Sequence, residues 1–180
     1  MKYYSIVPNY HLAISEVLEC FRAKGKKRIA YLGSVDTLGD DKKLTMDPRY
    51  YYYKNTLNNQ NQFDESLVID CEMNSRSSYQ KVLEYLDIHT PEEYPDAIFA
   101  SSDAVAPGLV KALHEREIQI PEQIGVITFN NTSFSEFSNP PLTSIEVYMR
   151  ESAESTVMCM ELLWKKKSLP KKIIVPCSLV

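Results

Sequence analysis

The chain has 180 residues, 44% of them apolar and 24% charged, with a net charge of −4 and an isoelectric point near 5.5. That is enough for one globular domain with its own core, and too acidic a balance for a protein that grips nucleic acid by bulk electrostatics. No apolar run approaches the ~20 residues needed to span a bilayer, and the opening MKYYSIVPNY has no signal-like stretch, so the expectation is a cytoplasmic protein with no membrane partner.

Asn9 is placed to cap a helix whose apolar positions are Ala13, Ile14, Val17, Leu18 and Phe21, with Gly25 at its end. RIAYLG (28–33) reads as a buried strand, and residues 34–46 as a polar loop. Asp47 and Pro48 open a second helix, Asp as cap and Pro at the first helical position. It carries four consecutive tyrosines, which ~100° steps spread around the helix: Tyr53 is expected in the core, and Tyr50 and Tyr51 more exposed. Strands follow at 66–70, 96–101 and 124–130, with a helix over 75–88 (Tyr79, Val82, Leu83, Leu86 on one stripe) and another begun by Asp103 (Val105, Leu109, Ala112, Leu113). NPPLTSIEV (139–147) is a proline-stiffened run into a fifth strand. A last helix covers 149–166, and KKIIVPCSL (171–179) is a closing strand.

Alternating strands and helices with short connections imply an α/β fold, a doubly wound parallel sheet with helices on both faces. In such sheets ligands bind beyond the carboxyl ends of the strands. Ser34, Val35 and Asp36, Cys71 to Asn74, Ser102 and Asp103, and Asn130 and Asn131 stand there. Most are polar and uncharged, which suits a neutral polyhydroxylated ligand. Neither GxGxxG nor GxxxxGK[ST] is present to hold phosphates, and no cofactor is expected. Cys20, Cys71, Cys159 and Cys177 are scattered, and with His11, His89 and His114 they complete no zinc spacing, so no metal ligand is assigned and buried, reduced thiols are expected. ASSD offers serines at a strand end, but without a GxSxG elbow or a nearby histidine no residue is assigned as catalytic.

The run YPDAIFASSDAVAPGLVKALHEREIQIPEQIGVITFNNTSFSEFSNPPLTSIEV, with VPNYHLAISEVLECFRAKGKKRIAYLGS and RYYYYKNTL upstream, resembles the lactose/galactose-repressor (LacI/GalR) family of bacterial transcription regulators over nearly the whole chain. The resemblance implies a type I periplasmic-binding-protein-like sensor domain that closes around a small effector, usually a sugar or nucleobase, with operator DNA and a homodimer partner as further contacts. It divides the chain into the C-terminal effector-binding subdomain (1–148), a helix that belongs to an N-terminal subdomain absent from the chain (149–168), and a closing strand of the C-terminal subdomain (169–180), with no DNA-binding headpiece. A transport-type sugar-binding protein is the alternative, and an enzyme the least favoured reading.

The resemblance also makes Arg49 the effector-contacting arginine, donating to adjacent hydroxyls. Ser102 and Asn130 fall at sugar-contacting positions, where relatives often carry Asn and Asp. Met73 stands where an aromatic ring often stacks, and Val147 where some members have Gln; for these two, ordinary packing is an equal alternative. Asp103 is expected to cap its helix rather than to touch ligand, and Asp36 to share a solvated acidic loop with Asp40 and Asp41. Glu117 replaces a usual glycine, so that helix is expected to end differently. The last helix presents Ala153, Val157, Met160, Leu163 and Trp164 as an apolar face, expected to be covered by a second copy or by packing back on the domain.

Overall fold

The computed structural model describes residues 4–38 and 44–180. In chain order it contains β1 (Ser5–Pro8), α1 (Tyr10–Ala23), β2 (Ile29–Gly33), β3 (Asp36–Leu38), β4 (Leu44–Met46), α2 (Pro48–Asn58), β5 (Val68–Asp70), α3 (Ser75–Ile88), β6 (Ala97–Ala100), α4 (Ala106–Glu115), β7 (Gly125–Phe129), α5 (Ser133–Phe137), β8 (Thr143–Glu146), α6 (Met149–Trp164), β9 (Lys172–Val175) and β10 (Ser178–Leu179). The main sheet has six strands in the order β10-β8-β7-β6-β2-β5. All neighbours are parallel except β10, which runs antiparallel to β8.

Strand residues alternate between two buried layers, as period-two geometry requires. Ala30, Leu32, Ile98, Ala100 and Val126 face α3 and α4. Ile29, Tyr31, Ala97, Phe99, Ile127 and Phe129 face α1 and α2. A sheet buried on both sides explains the continuous apolar strands. Helices α3 and α4 meet at Gly108, where a Cβ would lie 2.1 Å from the Ser75 carbonyl oxygen and 2.1 Å from Ser78 Oγ. Ser78 Oγ in turn donates to the Val105 carbonyl at 2.7 Å.

The helix starts follow the sequence. Asn9 caps α1 by accepting from the Leu12 amide, and Gly25 takes φ +78° beyond its end. Asp47 caps α2 with Pro48 in its first turn, and Asn74 caps α3 through the Ser77 amide.

Several expectations need correction. The stretch 34–46 is not simply a loop: Asp36–Leu38 pairs antiparallel with Leu44–Met46. Asp36 is exposed and lends its carbonyl to the Ser34 hydroxyl, while Asp40 and Asp41 lie outside the described residues. Helix α4 is not capped by Asp103, because the chain takes a further turn first and Val105 is the cap residue. The α4 terminus is the left-handed ending common to helices, with Glu117 itself at φ 57° and the Ile118 amide reaching the Leu113 carbonyl. The closing strand is two strands broken at Pro176. Only β10 joins the main sheet, and β9 pairs in parallel with β1 as a separate two-stranded sheet. α6 sits against β1 and buries Cys159, while Val157, Met160 and Trp164 are exposed, so this face does not pack back on the domain.

Tyr50 is buried, against expectation, together with Tyr53. Three residues apart, the two share the face that meets Tyr31, with ring centroids 5.2 and 5.4 Å from it. Tyr53 donates its hydroxyl to the Ile29 carbonyl at 2.8 Å. Tyr51 is exposed, as expected, and Tyr52 half-buried. Cys71, Cys159 and Cys177 are buried free thiols and Cys20 is partly covered. Among the described residues no helix is long and apolar enough to cross a membrane.

Candidate functional site

The order of the five parallel strands is β5-β2-β6-β7-β8, so successive connections leave β2 in opposite directions. The crevice between β2 and β6 at their carboxyl ends is therefore the switch point at which such sheets bind ligands. The backbone is unusually close there. Gly33 ends β2 at φ +152°, and a Cβ on it would lie 1.8 Å from Ser101 Oγ, so only glycine lets the two strand ends meet.

Arg49, in the first turn of α2, lies over this point. Its Nε donates to Asp47 Oδ1 at 2.9 Å, its Nη2 to Asp47 Oδ2 at 2.7 Å, and its Nη1 to the Ser101 carbonyl at 2.9 Å. The guanidinium carbon is 6.0 Å from the centre of the Phe129 ring, and Phe129 stacks on Tyr10 at 5.9 Å. Burial by itself would lower the arginine's pKa, but the hydrogen bonds and charge of Asp47 outweigh it and hold the proton more firmly than usual. Burial pushes the Tyr10 phenol up as well.

Ser102 and Asn130 are brought together. Asn130 Nδ2 donates to Ser102 Oγ at 3.1 Å, and the Ala104 amide donates to the same oxygen at 3.2 Å. With both lone pairs occupied, the serine hydroxyl proton is left to donate. Asn130 has φ 100° and Asn131 φ 48°, a left-handed pair that asparagine tolerates better than most residues. The pair is pinned by the Asn130 amide on the Ile145 carbonyl and by Asn131 Nδ2 on Glu146 Oε2 at 2.8 Å.

Asp103 works from beneath. The residue is 6% exposed, and its carboxylate accepts from Thr128 Oγ1 at 2.8 Å, Ser135 Oγ at 3.0 Å and the Thr132 amide. It thus ties the end of β7 to the start of α5, and does so instead of capping α4. Met73 reaches the crevice, where its sulfur accepts from the Ser34 amide at 3.5 Å and from Ser101 Oγ at 3.6 Å. Val147 is 5% exposed and packs in the layer facing α1 and α2. Sequence reasoning missed the lock between Asp47 and Arg49, the ring pair Tyr10–Phe129 and the close approach at Gly33. Acid and base two residues apart at a helix start was the available signal for the first.

The set offers hydroxyl and amide donors, an amide acceptor and a charge-balanced guanidinium beside aromatic rings, a surface suited to hydroxyl-rich ligands.

The family model described as periplasmic binding protein-like domain matches residues 18–180. The chain is 29% identical over 170 residues to the HTH-type transcriptional regulator GalR of Streptococcus thermophilus, covering 93% of this chain and 49% of that protein. It is 27% identical over 184 residues to the HTH-type transcriptional repressor MelR of Bacillus subtilis, covering 99% and 52%. Among solved structures, a regulatory protein of LacI family from Chloroflexus aggregans superposes with a TM-score of 0.87 at 20% identity, over 99% of this chain and 62% of that one. A complex of the transcriptional regulator CelR with cellobiose gives 0.81 at 18% identity, over 99% and 53%. The chain spans about half the length of the curated relatives it matches.

Proposed function

Because this chain belongs to the periplasmic-binding-protein-like domain family, in its LacI/GalR branch, we propose that it is the effector-sensing part of a DNA-binding transcription regulator, with a neutral sugar as effector. The observation that carries this reading is the convergence of Arg49, Ser102 and Asn130 at the strand ends, with donors and an acceptor but no unbalanced charge. Met73 lines the crevice beside them.

The main sheet with α1 to α5 is the effector-binding subdomain. β1, α6 and β9 form part of a second subdomain, whose remainder, with a DNA-binding headpiece, belongs to the length of the relatives that this chain does not span. Effector binding changes how the two subdomains sit, and a homodimer converts that change into gain or loss of operator DNA. The protein works in the cytoplasm and catalyses no reaction. Transport-type binding is not favoured, since the curated relatives are named as regulators.

A thermal-shift screen of neutral mono- and disaccharides against nucleobases tests the reading. A sugar is expected to raise the melting temperature, and Ser102→Ala and Asn130→Ala each to weaken its binding by about 1 kcal/mol, one hydrogen bond's net worth. A response to nucleobases alone, or sugar binding indifferent to both substitutions, would sink it.

A further inference from the structure

We infer that Asp47 sets the ligand class of the site: its carboxylate cancels the charge of Arg49, so that the crevice accepts neutral polyols and turns away phosphate esters and other anions. The inference rests on the reading of Arg49 as a ligand contact.

A helix cap needs only one carboxylate oxygen, and Oδ1 of Asp47 fills that role by accepting from the Arg49 amide at 2.9 Å. The same carboxylate also holds the guanidinium with both oxygens, Oδ1 on Nε and Oδ2 on Nη2. The two side chains are 18% and 5% exposed, so the pair is largely shielded from water. The third side of the guanidinium is fixed by the Ser101 carbonyl. Among the described residues, three of its five N–H groups are thus engaged, leaving one on each Nη. Two fixed donors on a compensated cation can serve neighbouring hydroxyl oxygens. They cannot serve an anion well, because it meets the Asp47 carboxylate through the same guanidinium.

Among the described residues, the rest of the rim supplies no substitute cation. Ser102, Asn130 and Met73 are neutral, and the ionisable groups that hold the strand ends in place are carboxylic: Asp70 on the Val35 amide, Asp103 on Thr128 and Glu146 on Asn131. An arginine freed of Asp47 would therefore be the site's anion receptor, and Asp47 is what prevents it.

Calorimetric titration of the full chain with inorganic phosphate at low salt reads this directly. Asp47→Asn keeps an oxygen for the helix cap and removes the charge. It is expected to bind phosphate at least about tenfold tighter than the wild type, the scale of one charge contact at a partly shielded site. The gain should vanish in Asp47→Asn/Arg49→Gln. Asp47→Ser, another capping residue without charge, should repeat the gain and stands in if the asparagine variant does not fold. Equal phosphate affinity in wild type and variant, a gain that survives loss of Arg49, or strong phosphate binding by the wild type itself overturns the inference. A neutral-sugar titration of the wild type reports separately on the functional reading: its failure would leave the phosphate result interpretable.

Discussion

Replacing Asp103 by alanine should loosen the rim at the strand ends more than any other single change beneath it. The carboxylate accepts from two hydroxyls and one amide, and Thr128 and Ser135 are 0% and 1% exposed, so water cannot replace what is removed. Hydrogen bonds to a charged acceptor contribute ~1.5–3 kcal/mol each, and a buried donor left unpaired costs ~1–3 kcal/mol. These contributions overlap because the three donors share one group; a total of about 3–4 kcal/mol is a reasonable sum. For a chain of this size that lowers the melting temperature by roughly 6–15 °C. Urea denaturation followed by circular dichroism gives the global figure, and hydrogen exchange at the Thr132 amide gives the local one. Asp103→Asn should cost less, since one acceptor oxygen survives while the new amide faces a donor. Wild-type stability in Asp103→Ala together with unchanged protection at Thr132 would refute the argument that this carboxylate organises residues 128–135.

Gly108→Ala should destabilise by ~1–3 kcal/mol, the usual cost of overpacking, because the new methyl meets backbone of α3 at 2.1 Å; the helix-propensity gain of ~1 kcal/mol offsets only part of it, and a raised urea midpoint would contradict the contact. Tyr53→Phe should lose ~1 kcal/mol by removing the donor to the Ile29 carbonyl, with no change in near-neighbour packing by NMR. Burial, and then the neighbouring carboxylates of Asp70 and Glu72, push the Cys71 thiol up to about 12, so it should resist iodoacetamide at pH 8 while unfolded protein reacts. The sign follows: between the ordinary thiol value, ~8.5, and 12 the unfolded thiol ionises first, so this group's stabilising contribution is full below that window and is lost as pH rises through it. Cys71→Ser should flatten stability against pH there, and an unchanged slope would dismiss the assignment.

What the sequence made legible was mostly local chemistry. Asn9 and Asp47 announce helix starts because short polar side chains satisfy the free amides of a first turn, and the apolar strands announce a sheet covered on both faces. Tyr50 was misplaced because a helical wheel shows direction and not what stands opposite: Tyr31, on strand β2, decides its burial. Asp103 shows the same limit. A capping residue before a helix is indistinguishable in sequence from one whose partners lie about 25 to 32 residues further on. The pairing of β9 with β1 joins the two ends of the chain, and no local pattern carries such a partner. Ser102 and Asn130 were placed at the strand ends by position, where they do meet, whereas Asp47 was seen only as a cap.

The split of the main sheet from the β1–β9 pair means that the backbone crosses between them at Pro8–Asn9, at Val147–Tyr148 and at Pro176–Cys177. The three straps are cross-tied: the Asn9 amide holds the Val175 carbonyl at 2.8 Å, and the Tyr148 and Ser178 hydroxyls lie 2.7 Å apart. Proline stiffens two of them, fixing its own φ and confining the residue before it. The third strap turns on Tyr148, a non-glycine residue at φ 43°, which has no ring closing its backbone. Proline thus restricts two of the crossings, whereas at the third the chain is turned by Tyr148 itself, held by its amide on Glu146 Oε1 at 3.1 Å and by its hydroxyl on Ser178.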